Sequence, residues 1–563
     1  MTILAPRYSN LNGSSQGNLT SGVELSTIIN LIGNSVEPLI INVSVNVTSN
    51  TTVPSNISLS VLNGSIINIS NGVTLTINGT FSAGVYQVFN CQGNGNVVFN
   101  NQTNLIGYAE WWGAITNNSS SNIQSTNTLS INAALTALSI VQLMPADYYV
   151  SGTIIHQRPN CWLKGAASKY NSIYGLYSTR LLIGNATGTA LQIGPTNAPT
   201  GGINSFPEGL RVSDLLISRT VGPDISASSP GVLVNYTLYA ILERILSTES
   251  INTFYFKGTV STKVIDCQAT RSVAGTGTGT DLWKGFYIDG VSYIVGAGGN
   301  ASLYLIRPNA SCNLASLQTT NSTGFYLNGA YTDSYIDWPE TNSCYVGMDI
   351  EGNNATGNSF SNTDLHINHP INDSFYYCGI YINNIAQAGS FSIEEPYFGP
   401  APSARCSLWI NSSLGGGNIT GGQFVQGNST AAGVIIQNSN AVILDGAQIL
   451  ETANTYPVVA LNASSNCLIK PKIKNTSITA SAAVQLSGIC NANQISPIIT
   501  GKASAFTLGV QVVDANTART EFNCSGTDSF SISGGSPNKL VINGTQIITT
   551  GTYGSNVVSG VMS

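Results

Sequence analysis

Charged side chains are scarce in this sequence. They make up 8% of 563 residues, with 20 Lys and Arg, 26 Asp and Glu and 3 His, for a formal net charge of −6, whereas soluble domains typically contain about 25%. With so few cations and no basic run, the chain has little with which to bind a phosphate backbone, so nucleic acid is not an expected partner. Hydrophobic residues still reach 42%, which argues against intrinsic disorder.

The shortage of titratable groups predicts folding that is nearly independent of pH, because acid denaturation results mainly from carboxylates and histidines whose pKa changes on folding. We therefore expect an exposed protein that tolerates acid or other harsh surroundings. No apolar h-region follows Met1, and no apolar run reaches the roughly 18 residues of a membrane span. This combination fits a virion-surface or extracellular protein, or a mature chain whose leader has been removed.

The ten cysteines form no CxxC or Cys/His pair with metal-ligand spacing, so neither a metal nor another cofactor is predicted. Cys378 and Cys406 each directly precede a copy of the repeat described next. They form either a disulfide or a ladder of buried thiols, and we favour thiols because cysteine readily serves as a small hydrophobic residue.

A small residue followed by an apolar–x–apolar triplet recurs along the chain. From residue 347 the copies follow at steps of 32, 28, 26, 25, 25 and 26 residues. Such alternation predicts strands with one buried face, and such a period predicts a repeat architecture. The copies are Gly231–Val234, Thr253–Phe256, Gly285–Ile288, Gly324–Leu327, Gly347–Ile350, Gly379–Ile382, Ser407–Ile410, Gly433–Ile436, Val458–Leu461, Ala483–Leu486 and Gly509–Val512.

Five prolines run in phase with these copies. Proline avoids the centre of a hydrogen-bonded sheet except at a strand start or bulge, so it should mark one corner of each coil. The five are Pro339, Pro370, Pro396, Pro471 and Pro497.

Together the two markers predict an all-β fold, a right-handed single-stranded parallel β-helix of about 12 or more coils. Residues 1–107 are expected to form a β-rich attachment region, and 108–165 the start of the β-helix. An amphipathic helix is predicted at Leu129–Leu143 in this second segment, as a cap. Residues 166–535 would form the body, and 536–563 a C-terminal cap or trimerisation tip that covers exposed strand edges.

Residues 108–165 carry a recognisable pattern. Glu110-Trp-Trp-Gly-Ala114 precedes the predicted helix, and Leu143-Met-Pro-Ala-Asp147-Tyr-Tyr149 follows it. This resembles the pectate-lyase-like β-helix superfamily that includes viral tailspikes, although Asp147 stands near the usual glycine. The resemblance implies a homotrimeric spike whose N-terminal region contacts other virion proteins and which touches a host-surface glycan or glycoprotein. The uncharged composition favours a virus of acidophilic archaea.

The middle residue of each repeat points outward, and these residues form a column that includes Asp349 among five aromatics. Aromatic faces suit sugar rings, but the same side chains could pack against a second subunit, since large aromatic patches are rarely left bare. We keep both interpretations, and we add Trp338 to the candidates. The glycan-binding or interface residues are Tyr255, Tyr287, Tyr326, Trp338, Tyr381 and Trp409.

Acids cluster in the same coils. Alignment on the prolines predicts one column with Asp337, Asn368 and Glu394, and another with Trp338, His369 and Glu395. Asp337 with Glu394 or Glu395 could form the carboxyl pair of an inverting glycosidase, or the acids could simply accept hydrogen bonds from turn amides. The sequence shows no GxSxG or Ser/His/Asp signature, so an esterase is not expected. An attachment spike that is not an enzyme is therefore the favoured prediction, and a polysaccharide depolymerase is the alternative.

The chain contains 26 Asn-X-Ser/Thr sequons. They predict a glycoprotein, or they reflect only the suitability of Asn and Thr for β-helix turns. The candidates are Asn42, Asn46, Asn56, Asn63, Asn78, Asn185, Asn235, Asn321, Asn428 and Asn462.

Overall fold

The structure, a computed structural model, is nearly all β. The described residues fall into two compact units. The first is divided among Met1–Thr196, Pro207–Val221 and Ile241–Leu246, and the second among Asn197–Phe206, Gly222–Ala240 and Ser247–Ser563. The residues described are 21–100, 105–168, 178–290, 300–329, 331–352, 364–387, 389–402, 404–426, 431–451, 456–475, 480–501, 506–513, 521–522 and 530–532.

The first unit begins as a β-helix with three short parallel sheets. In one of them Val45 pairs with Ile67 and Ile67 with Phe89, a step of 22 residues. The buried residues alternate along these strands, as in Val45–Val47. The sheets comprise Val23–Glu24, Val45–Val47, Ile67–Ile69 and Phe89–Cys91; Glu37–Ile41, Ile57–Val61 and Phe81–Ala83; and Thr51–Val53, Thr74–Ile77 and Asn96–Phe99.

The remaining strands of this unit are also paired in parallel. They are Ile106–Tyr108, Ile140–Gln142, Asp147–Val150, Ile154–His156, Trp162–Lys164, Arg180–Ile183, Leu191–Ile193, Arg211–Arg219 and, as far as Leu246, the strand Ile241–Thr248.

Two α-helices lie in this unit. Leu25–Ile32, which the sequence analysis missed, buries Leu25, Ile28, Ile29 and Ile32 and packs against the strands Val45–Val47 and Thr51–Val53. The predicted helix exists, but it spans Ser121–Ala137 and not Leu129–Leu143. The prediction failed at the C-terminal end because the apolar run continues beyond the helix into the strand Ile140–Gln142. A 3₁₀ turn, Ala109–Trp112, precedes this helix.

The repeat copies form one parallel sheet of the second unit, which we call the motif sheet. Its strands are in register, so that equivalent repeat residues pair from coil to coil. Both apolar positions are buried, and the rings of Phe254, Phe286 and Phe325 stack inside at centroid distances of 4.8 and 4.9 Å. The strands are Val232–Asn235, Asn252–Lys257, Trp283–Gly290, Ser322–Gly329, Val346–Glu351, Cys378–Asn383, Cys406–Asn411, Val434–Gln437, Val459–Asn462, Ala480–Ser487, Phe506–Val512 and Phe530–Ile532.

Most coils contribute two consecutive strands, joined at a corner, to a second parallel sheet. We call this sheet the corner sheet. Its strands are Lys263–Ile265, Gln268–Arg271, Tyr304–Ile306, Asn309–Cys312, Ser334–Asp337, Glu340–Asn342, Leu365–Asn368, Ile371–Phe375, Phe391–Glu394, Tyr397–Pro400, Gly417–Thr420, Gln423–Gln426, Val442–Glu451, Leu468–Asn475, Gln494–Ile495, Ile498–Gly501 and Glu521–Phe522. A small sheet, Asn300–Ala301 with Tyr331–Thr332, the helix Ala315–Gln318 and the 3₁₀ turn Gly202–Ser205 complete the unit.

Four of the five prolines lie where predicted, between the two strands of one coil. The residue before three of them is left-handed, with φ of 51° at Trp338, 50° at His369 and 48° at Glu395. Pro471 differs, because it lies within the strand Leu468–Asn475.

The predicted parallel β-helix is confirmed. The predicted tip, 536–563, lies outside the described residues, and the domain boundaries, coil number and trimer stay predictions.

Cys378 and Cys406 pair in the motif sheet, and both are buried free thiols with their sulfurs 3.3 Å apart. A disulfide needs about 2.05 Å, so the structure has the thiol ladder that we favoured.

Candidate functional site

The predicted aromatic column is present on the outward face of the motif sheet. Register pairs its residues in the order Tyr255, Tyr287, Tyr326, Asp349, Tyr381 and Trp409. All six side chains are half-buried. Trp338 lies elsewhere, at the corner of the corner sheet.

Much of the ring surface in this column is already used within the chain. Tyr255 and Tyr287 stack at 4.6 Å with planes 2° apart, so these two rings offer mainly edges and hydroxyls to a ligand. Tyr287 and Tyr326 are tilted by 43° at 5.2 Å. Asp349 then interrupts the column. Tyr326 and Tyr381 are two strands apart, about 9.6 Å at the usual strand spacing.

Lys284 contacts the column from the side. Its Nζ lies 4.2 Å from the ring centroid of Tyr287 and 3.7 Å from that of Tyr326, a cation–π arrangement. Burial lowers the pKa of Lys284 to about 8, although Asp349 and Asp289 oppose the shift. Lys284 is not among the predicted site residues, and its only signal in the sequence is its position directly before Gly285 of the repeat.

Asp349 and Glu351 lie two residues apart on one strand, so both point outward. Burial, and then the neighbouring charge of Glu351, raise the pKa of Asp349 to about 7, while Lys284 acts in the opposite direction. Its Oδ1 is buried and accepts no hydrogen bond among the described residues. The Glu351 carboxylate instead accepts bonds of 3.1 and 2.9 Å from Asn383.

A polar column runs beside the aromatic one. Asn411 donates to Asn383 at 2.8 Å, and the Tyr255 hydroxyl donates to Asp289 at 2.6 Å. The pKa of Tyr255 is raised by its burial and by this bond. The face thus presents hydroxyls, amides and carboxylates together with the cations Lys257, which pairs with Asp289, and Lys284.

The far end of the column is partly covered. The guanidinium of Arg405 lies 4.3 Å from the Trp409 ring centroid and donates to the Tyr377 hydroxyl at 2.6 Å. Tyr381 and Trp409 are tilted by 53° at 5.0 Å. Trp409 Nε1 is buried and has no acceptor among the described residues.

The predicted acid columns also have the predicted register. Asp337 pairs with Asn368 and Asn368 with Glu394; Asp337 is half-buried and Glu394 exposed. Glu395 accepts a hydrogen bond of 3.0 Å from the amide of Gly422, which is the turn-capping role weighed above. Whether any of these acids is catalytic stays a prediction.

Trp338 is 49% exposed and stacks on His369, with the ring centroids 4.3 Å apart and the planes 5° apart. One ring face of Trp338 is therefore already covered.

The sequons differ in accessibility. Asn185, Asn63 and Asn462 are exposed, whereas Asn235 is 3% exposed, which argues against a glycan there. Asn42, Asn46, Asn56, Asn78 and Asn321 are half-buried, and Asn428 lies outside the described residues. Asn46 donates to the Gly22 carbonyl at 3.0 Å and Asn56 to that of Ser35 at 2.5 Å, so both already bridge neighbouring coils.

Within the described ranges no group of three or more His, Cys, Asp or Glu residues is placed to hold a metal ion. No helix in the described part of the chain is long and apolar enough to cross a membrane.

No family model matches the chain, and no curated protein is significantly similar to it. Among solved structures it is similar to the A-module of Azotobacter vinelandii mannuronan C-5 epimerase AlgE4, with 12% identity, 79% of this chain and 100% of that chain covered, and a TM-score of 0.40. Tailspike protein 3 of bacteriophage CBA120 has 9% identity, 80% and 62% coverage and a TM-score of 0.38. The Streptococcus pneumoniae surface adhesin PfbA has 10% identity, 81% and 96% coverage and a TM-score of 0.36. Tailspikes, the proteins that the sequence pattern resembles, are thus among the matches. At TM-scores of this size the matches carry no argument of their own, and the fold rests on the strand pairings.

Proposed function

We propose that this chain is an attachment protein of a virion surface, which binds neutral glycans of the host envelope through the aromatic column of the motif sheet. The observation that carries the proposal is the gap at Asp349, with Tyr326 on one side and Tyr381 on the other. Two ring-to-sugar contacts of 3.5–4.0 Å need about 7–8 Å, which fits within the spacing of two strands. Among the described residues the ring contacts of Tyr326 and Tyr381 are with Tyr287 and Trp409, on the sides away from Asp349, so a sugar ring would approach them at Asp349.

The surrounding charges favour a neutral sugar. Asp289, Asp349 and Glu351 on this face are matched by Lys257, Lys284 and Arg405. The face therefore carries no excess of positive charge that would attract a uronate or sialic acid. The side chains of Asn383 and Asn411 supply donors and acceptors suited to sugar hydroxyls. Asp349 Oδ1 is buried and has no hydrogen-bond partner among the described residues, so a sugar hydroxyl could donate to it once neighbouring side chains move aside.

The wider setting belongs to the same proposal. A low-charge, sequon-rich β-helix suits an extracellular particle exposed to acid, and a homotrimer anchored by its N-terminal region would project the motif sheet toward the host. Native mass measurement tests the trimer, and intact mass tests whether the sequons carry glycans.

The binding test uses an array of neutral and acidic glycans, followed by titration of a positive glycan. Tyr381→Ala should weaken that glycan about tenfold or more, because aromatic anchors dominate such contacts. The matched control is Tyr239→Ala, which removes a tyrosine that is 58% exposed and lies outside the column. Equal losses in both variants, or an unchanged affinity in Tyr381→Ala, would refute the assignment of the site.

A second function, hydrolysis of surface polysaccharide, is supported by the register of Asp337 with Glu394. Their backbones lie two strands apart, about 9.6 Å, which is compatible with the 6.5–9.5 Å between the carboxyls of inverting glycosidases. New reducing ends from envelope polysaccharide, lost in Glu394→Gln or Glu395→Gln, would support it. Their absence in the wild-type protein would leave attachment alone.

A further inference from the structure

Three side chains of the corner sheet form an arrangement that no single stretch of sequence displays. Ser392 Oγ lies 2.8 Å from Nδ1 of His366, and Nε2 of His366 lies 3.9 Å from Oδ1 of Asp364. His366 and Ser392 are paired across adjacent coils, and Asp364 lies two residues before His366, at a left-handed position (φ 59°) directly ahead of the strand Leu365–Asn368. Ser392 is thus placed as a nucleophile, His366 as its base and Asp364 as the carboxylate that orients the base.

We propose that Ser392, His366 and Asp364 form a serine-esterase site that removes short acyl groups from glycans. In the required tautomer, Nδ1 accepts the Ser392 hydroxyl proton and the Nε2 proton points to Asp364. In most such triads Nε2 takes the proton of the nucleophile and Nδ1–H faces the carboxylate, whereas here the two nitrogens are interchanged. The imidazole still acts as the base and the carboxylate still orients it. The 3.9 Å separation is an ion-pair distance and not a hydrogen bond, and Asp364 Oδ1 also accepts a bond of 3.4 Å from Ser390. Contacts between catalytic groups are often this long before substrate binds.

Neighbouring groups hold the imidazole in place. His366 stacks on Tyr335 with centroids 4.7 Å apart and planes inclined by 13°, and Tyr335 stacks on Tyr304 at 5.5 Å. This ladder restricts the ring to the orientation that reaches both partners. The imidazole is 33% exposed and Asp364 61% exposed, so a reacting group can approach from solvent.

Asn418 supplies a candidate oxyanion donor. It pairs with Ser392 from the next coil, on the side away from His366, and its side chain is exposed. An amide at that position can donate to the oxygen of a tetrahedral intermediate.

The chemistry needs only water as a second reactant. Ser392 Oγ attacks the acyl carbon while its proton passes to Nδ1 of His366, and that proton then passes to the departing sugar oxygen as the ester C–O bond breaks. Water next attacks the acyl-serine, gives one proton to Nδ1, and releases the carboxylic acid as Ser392 recovers its hydrogen.

The substrate class follows from the surroundings. The three residues lie on an open wall, which suits a polymer that lies across it and small acyl groups such as acetyl. The choice of a glycan as the alcohol rests on the proposed function, whereas the acyl-transfer chemistry does not, because the site lies on the corner sheet and the aromatic column on the motif sheet.

The test measures hydrolysis of p-nitrophenyl acetate and of an O-acetylated neutral polysaccharide, together with labelling by a fluorophosphonate located by peptide mass spectrometry. We expect labelling at Ser392 and a loss of turnover on the order of a hundredfold or more in Ser392→Ala and His366→Gln. Asp364→Asn should lower the rate less. Ser60→Ala is the matched control, since Ser60 is also an outward strand serine bonded across coils, to Ser82 at 2.7 Å, but without an imidazole.

The outcomes distinguish the proposed esterase site from the proposed glycan substrate. Wild-type turnover of p-nitrophenyl acetate no faster than that of Ser392→Ala, with no label at Ser392, would overturn the esterase site. Turnover of the small ester without release of acetate from any acetylated glycan would overturn the substrate class and leave the site intact. Circular dichroism of each variant would show that the fold persists.

Discussion

Replacing Asp349 with Asn should stabilise the protein at neutral pH. The carboxyl is buried beside Glu351, and its pKa is raised from 3.8 to about 7. Between these two pH values the folded state therefore binds more protons than the unfolded state, and the free energy of unfolding falls as the pH rises. Asparagine cannot ionise, so the variant avoids that loss.

The magnitude follows from the shift. A difference of about 3 pKa units, 7 minus 3.8, corresponds to about 4 kcal/mol at 1.36 kcal/mol per unit. Asp349 is half-buried and loses its attraction to Lys284 in the variant. Allowing for solvent screening and for that lost attraction, we expect a gain of about 2 kcal/mol at pH 8, which shrinks to nothing below pH 4.

The assay is calorimetric unfolding of both proteins at pH 3.5, 5.5 and 8. Asp445→Asn is the control, because Asp445 is an exposed acid of the corner sheet and should show no comparable gain. An Asp349→Asn variant that is less stable than the wild type at pH 8, or a gain that does not change with pH, would refute the reasoning. The first result would mean that the ionised carboxylate is well solvated or paired.

Three further predictions concern the core. Phe286→Ala should cost about 3–5 kcal/mol in calorimetric unfolding, because it removes the middle ring of a buried stack; a loss below 1 kcal/mol would contradict that packing. Tyr148→Phe should cost about 1–3 kcal/mol, since it leaves the buried Glu110 carboxylate without its tyrosine donor; an unchanged unfolding temperature would argue against the bond. Cys378 and Cys406 should resist maleimide in the native protein, because both are buried, and react only after denaturation; rapid native labelling would place them at the surface.

The sequence predicts the β-helix well because its signals are local and repeated. Each apolar–x–apolar triplet of the repeat buries two side chains, and Gly347, Gly379 and Ser407 directly precede such triplets in consecutive coils. The prolines mark the corner for the same reason, since Pro339, Pro370 and Pro396 each lie between the end of one strand and the start of the next. These two markers also predict the register between coils. The register in turn aligns Tyr381 with Trp409 and Asp337 with Glu394.

The polar constellations were harder to predict because they join residues from different coils. Lys284 reaches the aromatic column from outside the triplet, past Gly285, where strict alternation breaks down. Ser392 and His366 are neighbours only because 26 residues complete that coil. A search along each column for nucleophile and base pairs would have found them, whereas a search for linear motifs cannot.

The most direct test of the account is a crystal structure of the protein with an array-positive oligosaccharide. We predict a sugar ring between Tyr326 and Tyr381, above Asp349, with hydroxyls bonded to the Asp349 carboxyl group or to the Asn383 amide. A sugar bound only at the corner sheet, or a gap between the two tyrosines that stays empty at saturating ligand, would contradict the central claim.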